Sequence, residues 1–151
     1  SSVSGAANQI LVTLRANFDV AAAGTTPATI TIAGLTGSAT PSNTNFLSAI
    51  TSVSQRNFVR FSAASWDQTT GTVTLTLSTA VADCPVPPEE NKGGGTGAGN
   101  DCLRADYPYS FAIALQNPTN PQEPPAEVMV SGQASIAGEV SAVMPELMAT
   151  A

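Results

Sequence analysis

Catalysis at neutral pH usually needs a positioned base, and this sequence contains no histidine, which removes the commonest one. Ser-His-Asp and Cys-His arrangements are therefore impossible. Its two cysteines, Cys84 and Cys102, lie eighteen positions apart, with no CxxC spacing and no further soft ligand to complete a zinc site. They read as a disulfide closing a flexible loop, worth about 3 kcal/mol in the chain-entropy model, in an oxidising compartment. The competing reading is two unrelated buried thiols, against which stand the loop residues Pro85 and Asp101 beside them. Carboxylates remain, since a glycosidase needs only two. Asp67, Asp83, Glu89, Glu90, Asp101 and Asp106 are the candidates, and most sit among turn residues. Asp67 opens a DQTTG stretch suited to a hairpin turn. Asp83, Asp101 and Asp106 flank the cysteine loop and offer hard oxygens to calcium, without the spacing of a known calcium loop. The glycine run Gly93–Gly99 resembles a phosphate cradle, but its only lysine, Lys92, precedes it and no helix pattern follows. A loop tip is the better reading. No catalytic residue, metal or cofactor is expected.

Binding residues are equally sparse. Trp66, the single tryptophan, is either a sugar-stacking platform or a core anchor, and its place beside a turn favours the anchor. Tyr107 and Tyr109 read first as packing. No asparagine stands in a standard Asn-x-Ser/Thr acceptor, Asn117 being followed by proline. Glycans would sit instead on Ser/Thr hydroxyls or on modified loop prolines, for which Pro85, Pro87, Pro88, Pro121, Pro124 and Pro125 are the candidates.

The elements that must position these residues show a period of two. Ile10, Val12 and Leu14 alternate with Leu11, Thr13 and Arg15; Ile30 and Ile32 with Thr29, Thr31 and Ala33. Val73, Leu75 and Leu77 alternate with Thr72, Thr74 and Thr76, and Tyr109, Phe111, Ile113 and Leu115 with Ser110, Ala112 and Ala114. Val128 and Val130 form a further case, and 58–61 and 46–53 are weaker ones. Such alternation predicts strands buried on one face. Phe46, Leu47, Ile50 and Val53 come closer to helical spacing, enough for one turn and no more. Two stretches interrupt the pattern: the Pro- and Gly-rich segment 85–101, and the proline-rich 117–125, expected to be extended.

The 151 residues amount to one ordinary domain. Charged residues make up 11%, against about 25% in a typical soluble domain. Ser and Thr supply about a fifth of the chain, so its wet surface is hydroxyl-clad, which suits pleated strands. With 5 basic and 11 acidic residues the net charge is −6, which disfavours nucleic acid. No apolar run reaches membrane-spanning length, and residues 1–7 lack a signal peptide's basic and apolar regions. The expected organisation is an N-terminal linker or contact segment at 1–8, an all-β sandwich at 9–143 with seven to ten mostly antiparallel strands, and a tail or linker at 144–151.

Three segments also carry a family likeness: ITIAGLTGSATP at 30–41, WDQTTGTVTLT at 66–76 and YSFAIALQNP at 109–118. In order and strand–turn grammar they resemble Ig-like modules of very long secreted surface proteins of algae and other protists. Proteins that build mastigonemes, the hair-like filaments on flagella, are among these. The likeness spans about residues 9–131, and the 84–102 loop looks like an insertion. It implies an Ig-like sandwich serving as a glycosylated extracellular building block with no active site to carry over. The expected partner is a copy of itself, or a neighbouring module, joined through the first strand (9–15) or the terminal segment (131–143). Edge strands with few lysines are open to such pairing. A carbohydrate-binding adhesion module, recognising sugar through Trp66 or the tyrosines with calcium held by acidic loop residues, is the alternative.

Overall fold

The computed structural model describes residues 4–20, 27–53, 59–77, 103–119, 128–136, 139–142 and 146–148. They form an all-β protein of two antiparallel sheets. The first sheet has three strands: β1 (Ala7–Arg15), β6 (Pro108–Gln116) and β3 (Ile50–Ser52), in the order β1-β6-β3. The second contains β2 (Thr29–Ala33), β4 (Phe61–Asp67), β5 (Thr72–Leu77), β7 (Val128–Ile136) and β8 (Glu139–Ala142), in the order β4-β5-β2-β7-β8. A ninth strand, β9 (Glu146–Met148), pairs with residues 128–130 of β7 while β8 pairs with 133–136. The terminal segment 131–143 thus holds the end of β7 and, at 139–142, the strand that returns beside it. The stretch beyond 143 contributes β9.

The period-two residues are the ones that face inward. Val73, Leu75 and Leu77 have no exposed surface, and Ile30 and Ile32 are nearly as buried. From the opposite sheet come Val12, Tyr109, Phe111, Ile113 and Leu115, all in the same core cluster. Phe61 of β4 and Phe111 of β6 meet edge to face across the two sheets, centroids 5.3 Å apart. The arrangement is that of a sandwich, the solution that two half-apolar sheets reach by covering each other.

Helical structure is confined, among the described residues, to one 3-10 turn at Leu47–Ala49 leading into β3. No helix there is long and apolar enough to cross a membrane. Between β4 and β5 the chain reverses through 68–71, where Gly71 adopts φ +63. The Gly71 carbonyl accepts from Leu35 N at 2.9 Å, and a Cβ on Gly71 would lie 2.5 Å from Thr36 N. Only glycine permits both the left-handed conformation and that approach.

Candidate functional site

Nine-residue β1 is an edge of the three-stranded sheet, and β6 is its only strand neighbour among the described residues. Its ladder with β6 runs from Ala7↔Gln116 to Arg15↔Pro108. In an antiparallel pair, alternate residues exchange both hydrogen bonds with the partner while those between turn their backbone groups the other way. Four contacts fix which are which. Asn117 N donates to Ala6 O at 2.9 Å, so the even-numbered residues of β1 bond to β6. Gln116, opposite Ala7, points away from β1: its N–H donates to Thr40 Oγ1 at 2.7 Å and its carbonyl accepts from Ala39 N at 2.9 Å. Gln9 N, on the odd set, donates to the side-chain Oδ1 of Asn8 at 3.0 Å.

Ala7, Gln9, Leu11, Thr13 and Arg15 therefore direct their backbone N–H and C=O groups toward the free side of the sheet. The same five are exposed, whereas Ile10, Val12 and Leu14 pack on the core. Leu11, at the midpoint of the strand, is 63% exposed, the most of any large apolar residue described. The edge carries no proline and no lysine, the usual devices that blunt an edge. Other long edges are covered. Asn43 exchanges backbone hydrogen bonds with Trp66, and Phe46 N donates to Ala64 O at 2.8 Å, along the outside of β4. Beyond β7 lie β8 and β9. β3 is three residues long.

A second feature is a polar depression of about 600 Å³ on the outside of the β4–β5 hairpin. Asn43, Thr44, Ser65, Asp67, Thr72 and Thr74 are among the residues that line it. The Asp67 carboxylate is engaged by its own turn, accepting from Thr70 Oγ1 and Thr69 N, each at 2.9 Å. These bonds, the Thr70 hydroxyl first, hold its pKa below the ordinary value. What the depression offers a ligand is hydroxyls, an amide and one carboxylate.

Trp66 also lines the depression. It is 3% exposed, with its indole N–H donating to Thr40 O at 2.8 Å and its ring stacked on Phe46 at 6.0 Å. A ring held this way presents almost no face to a sugar. Tyr109 is buried at the start of β6, its hydroxyl accepting from Arg104 N at 3.0 Å, and its ring meets Tyr107 edge to face. Asp106 sits in a turn with φ +60. No group of three metal-ligating side chains converges among the described residues. Cys84 and Cys102, the carboxylates at 83, 89, 90 and 101, Lys92 and the glycine run, and all six candidate prolines (Pro85, Pro87, Pro88, Pro121, Pro124 and Pro125) lie outside the described residues.

Sequence reasoning named the first strand (9–15) and the terminal segment (131–143) as contact elements and did not single out Leu11. Its signal was there: Ile10-Leu11-Val12 breaks the alternation with three successive apolar residues, and in a strand the middle one must face the other way. The depression had no sequence signal, because Asn43 and Thr44 reach it through the loop that crosses β4. Comparison with protein-family models, with curated proteins and with solved structures finds no match for this chain.

Proposed function

We propose that this chain is a structural module of an extracellular filament or cell-surface coat, without enzymatic activity, which associates with copies of itself through a strand edge. The observation that carries the reading is the long edge of β1, uncovered among the described residues, ungated by lysine or proline and centred on an exposed leucine. An unpaired row of backbone groups is a template for strand addition, and β1 itself carries a single charge, Arg15. Glycosylation of hydroxyls or loop prolines, a Cys84–Cys102 disulfide and secretion belong to the same reading.

An Ig-like assignment has two supports. The order β4-β5-β2 in one sheet and the β3–β6 pair in the other match the D-E-B and C-F groupings of an Ig sandwich. Tyr109, near the start of the sixth strand with its hydroxyl bonded to backbone five residues upstream, resembles that fold's tyrosine corner. The end strands depart from the pattern, because β1 lies beside β6 and β7 beside β2, where an Ig domain has its last strand and its first.

Sedimentation velocity over a wide concentration range, with electron microscopy of the concentrated protein, tests the function. Concentration-dependent association beyond the monomer is expected, and a monodisperse monomer throughout would overturn it. A second reading, a carbohydrate-binding module, is favoured by the hydroxyl-lined depression at Asp67. Binding on a glycan array that Asp67→Ala abolishes would select it, and absence of binding to any glycan would remove it.

A further inference from the structure

We infer that the open edge of β1 pairs with β1 of a second copy, antiparallel about a two-fold axis through Leu11, in the register that sets residue i against residue 22 − i. The inference rests on the self-assembly reading and specifies its contact. Only Ala7, Gln9, Leu11, Thr13 and Arg15 have backbone groups aimed outward, so an added strand must oppose them with residues that likewise have free groups. A second β1 supplies that set. Of the antiparallel registers, the one centred on Leu11 alone pairs all five positions: Ala7 with Arg15, Gln9 with Thr13, and Leu11 with its own copy. Each two-residue slip to either side gives up one pair.

Side chains select the same arrangement. These five residues also share the outer face of the sheet, so the two exposed Leu11 side chains come side by side at the centre and cover each other. Arg15, the only charged residue of the strand, falls against Ala7 of the second copy. Parallel, in-register pairing would instead set two arginines together, which is destabilising. The one local obstacle is the Asn8 Oδ1 that accepts from Gln9 N. It must yield that donor to the carbonyl of Thr13 in the second copy. An interface one strand wide belongs to the small, weak class of contacts, below about 1,200 Å², so the pairing calls for a trap as its readout.

Directly opposed residues of a hydrogen-bonded antiparallel pair have Cβ atoms about 5.5 Å apart, beyond the roughly 3.5–4.5 Å that a disulfide needs but within the span of a one-carbon bis-thiosulfonate cross-linker. The full chain carrying Leu11→Cys, a change at an exposed position, should form a covalent dimer with that cross-linker. Thr13→Cys should not, because its two copies lie about 13 Å apart along the strands. Gln9→Cys and Thr13→Cys should link when mixed and not when separate. Peptide mass mapping assigns each bond and excludes links through Cys84 or Cys102, and circular dichroism confirms that the variants fold. Failure of Leu11→Cys to link in a protein that still sediments as oligomers would overturn this contact alone. Linking of Thr13→Cys to itself as readily as Leu11→Cys would also overturn it. A chain that neither links nor associates at any concentration would overturn both this contact and the self-assembly reading.

Discussion

Phe61 and Phe111 belong to different sheets, and their edge-to-face contact at 5.3 Å and 77° spans the core between them. Both are nearly fully buried, at 5% and 1% exposure. Replacing either by leucine keeps the site apolar but removes the ring edge or the ring face, so each single change should destabilise by about 1–2 kcal/mol. The informative quantity is the coupling. Aromatic pairs in this geometry contribute about 0.5–1.5 kcal/mol beyond their buried area, and only the first substitution of a pair can forfeit it. The double variant should therefore lose less than the sum of the singles by that amount. Urea unfolding of the wild type, Phe61→Leu, Phe111→Leu and the double variant measures all four corners of the cycle. If both singles destabilise and their effects add to within about 0.3 kcal/mol, the rings do not touch and the face-to-face packing of the sheets is refuted.

Gly71→Ala should cost at least about 2 kcal/mol, from left-handed strain and the collision with Thr36 N. A thermal melt should show this as a Tm lower by about 4 °C or more, and an unchanged Tm would show that the turn is drawn wrongly. Tyr109→Phe removes the acceptor of the Arg104 N–H and should lower stability by about 1–2 kcal/mol in the same melt. Asp67 has a depressed pKa in the fold. Its charged form therefore stabilises the folded state above the ordinary carboxylate pKa, about 3.9, and that contribution fades as pH falls through the lowered value. Urea midpoints of wild type and Asp67→Asn should accordingly differ most near neutrality and converge in acid. A gap that stays constant with pH would dissociate the turn from the charge.

The sequence discloses those strands in which burial alternates strictly. Ile30 and Ile32, the Val73–Leu77 series and the Tyr109–Leu115 series all lie on the core face of the strands expected for them. β4 was hidden because its register shifts between Phe61 and Ala63. Its inward residues are therefore Phe61, Ala64 and Trp66, a spacing of three and then two that matches no single period. The helical spacing at Phe46–Val53 was real but short: three residues of 3-10 turn precede a three-residue strand. Pairing order was not legible at all, since local alternation says which face is buried and nothing about which strand lies alongside. The open edge had to wait for that order, because it depends on β1 lying outside β6.

How the molecule treats its edges follows from its composition. With 11% charged residues it has little lysine or glutamate with which to gate a strand, so the edges that are closed are closed by chain. The segment 43–46 crosses the outside of β4, and β8 and β9 together cover β7. A chain that left several such edges bare would pair in many registers and aggregate. Among the described residues all but one long edge is covered, which in the proposed assembly places the contact on a single strand. The exposed Leu11 then distinguishes registers that the flanking Gln9 and Thr13, both polar and of moderate size, would leave nearly equivalent. In the proposed assembly the contact therefore falls on the one long edge that the described residues leave open.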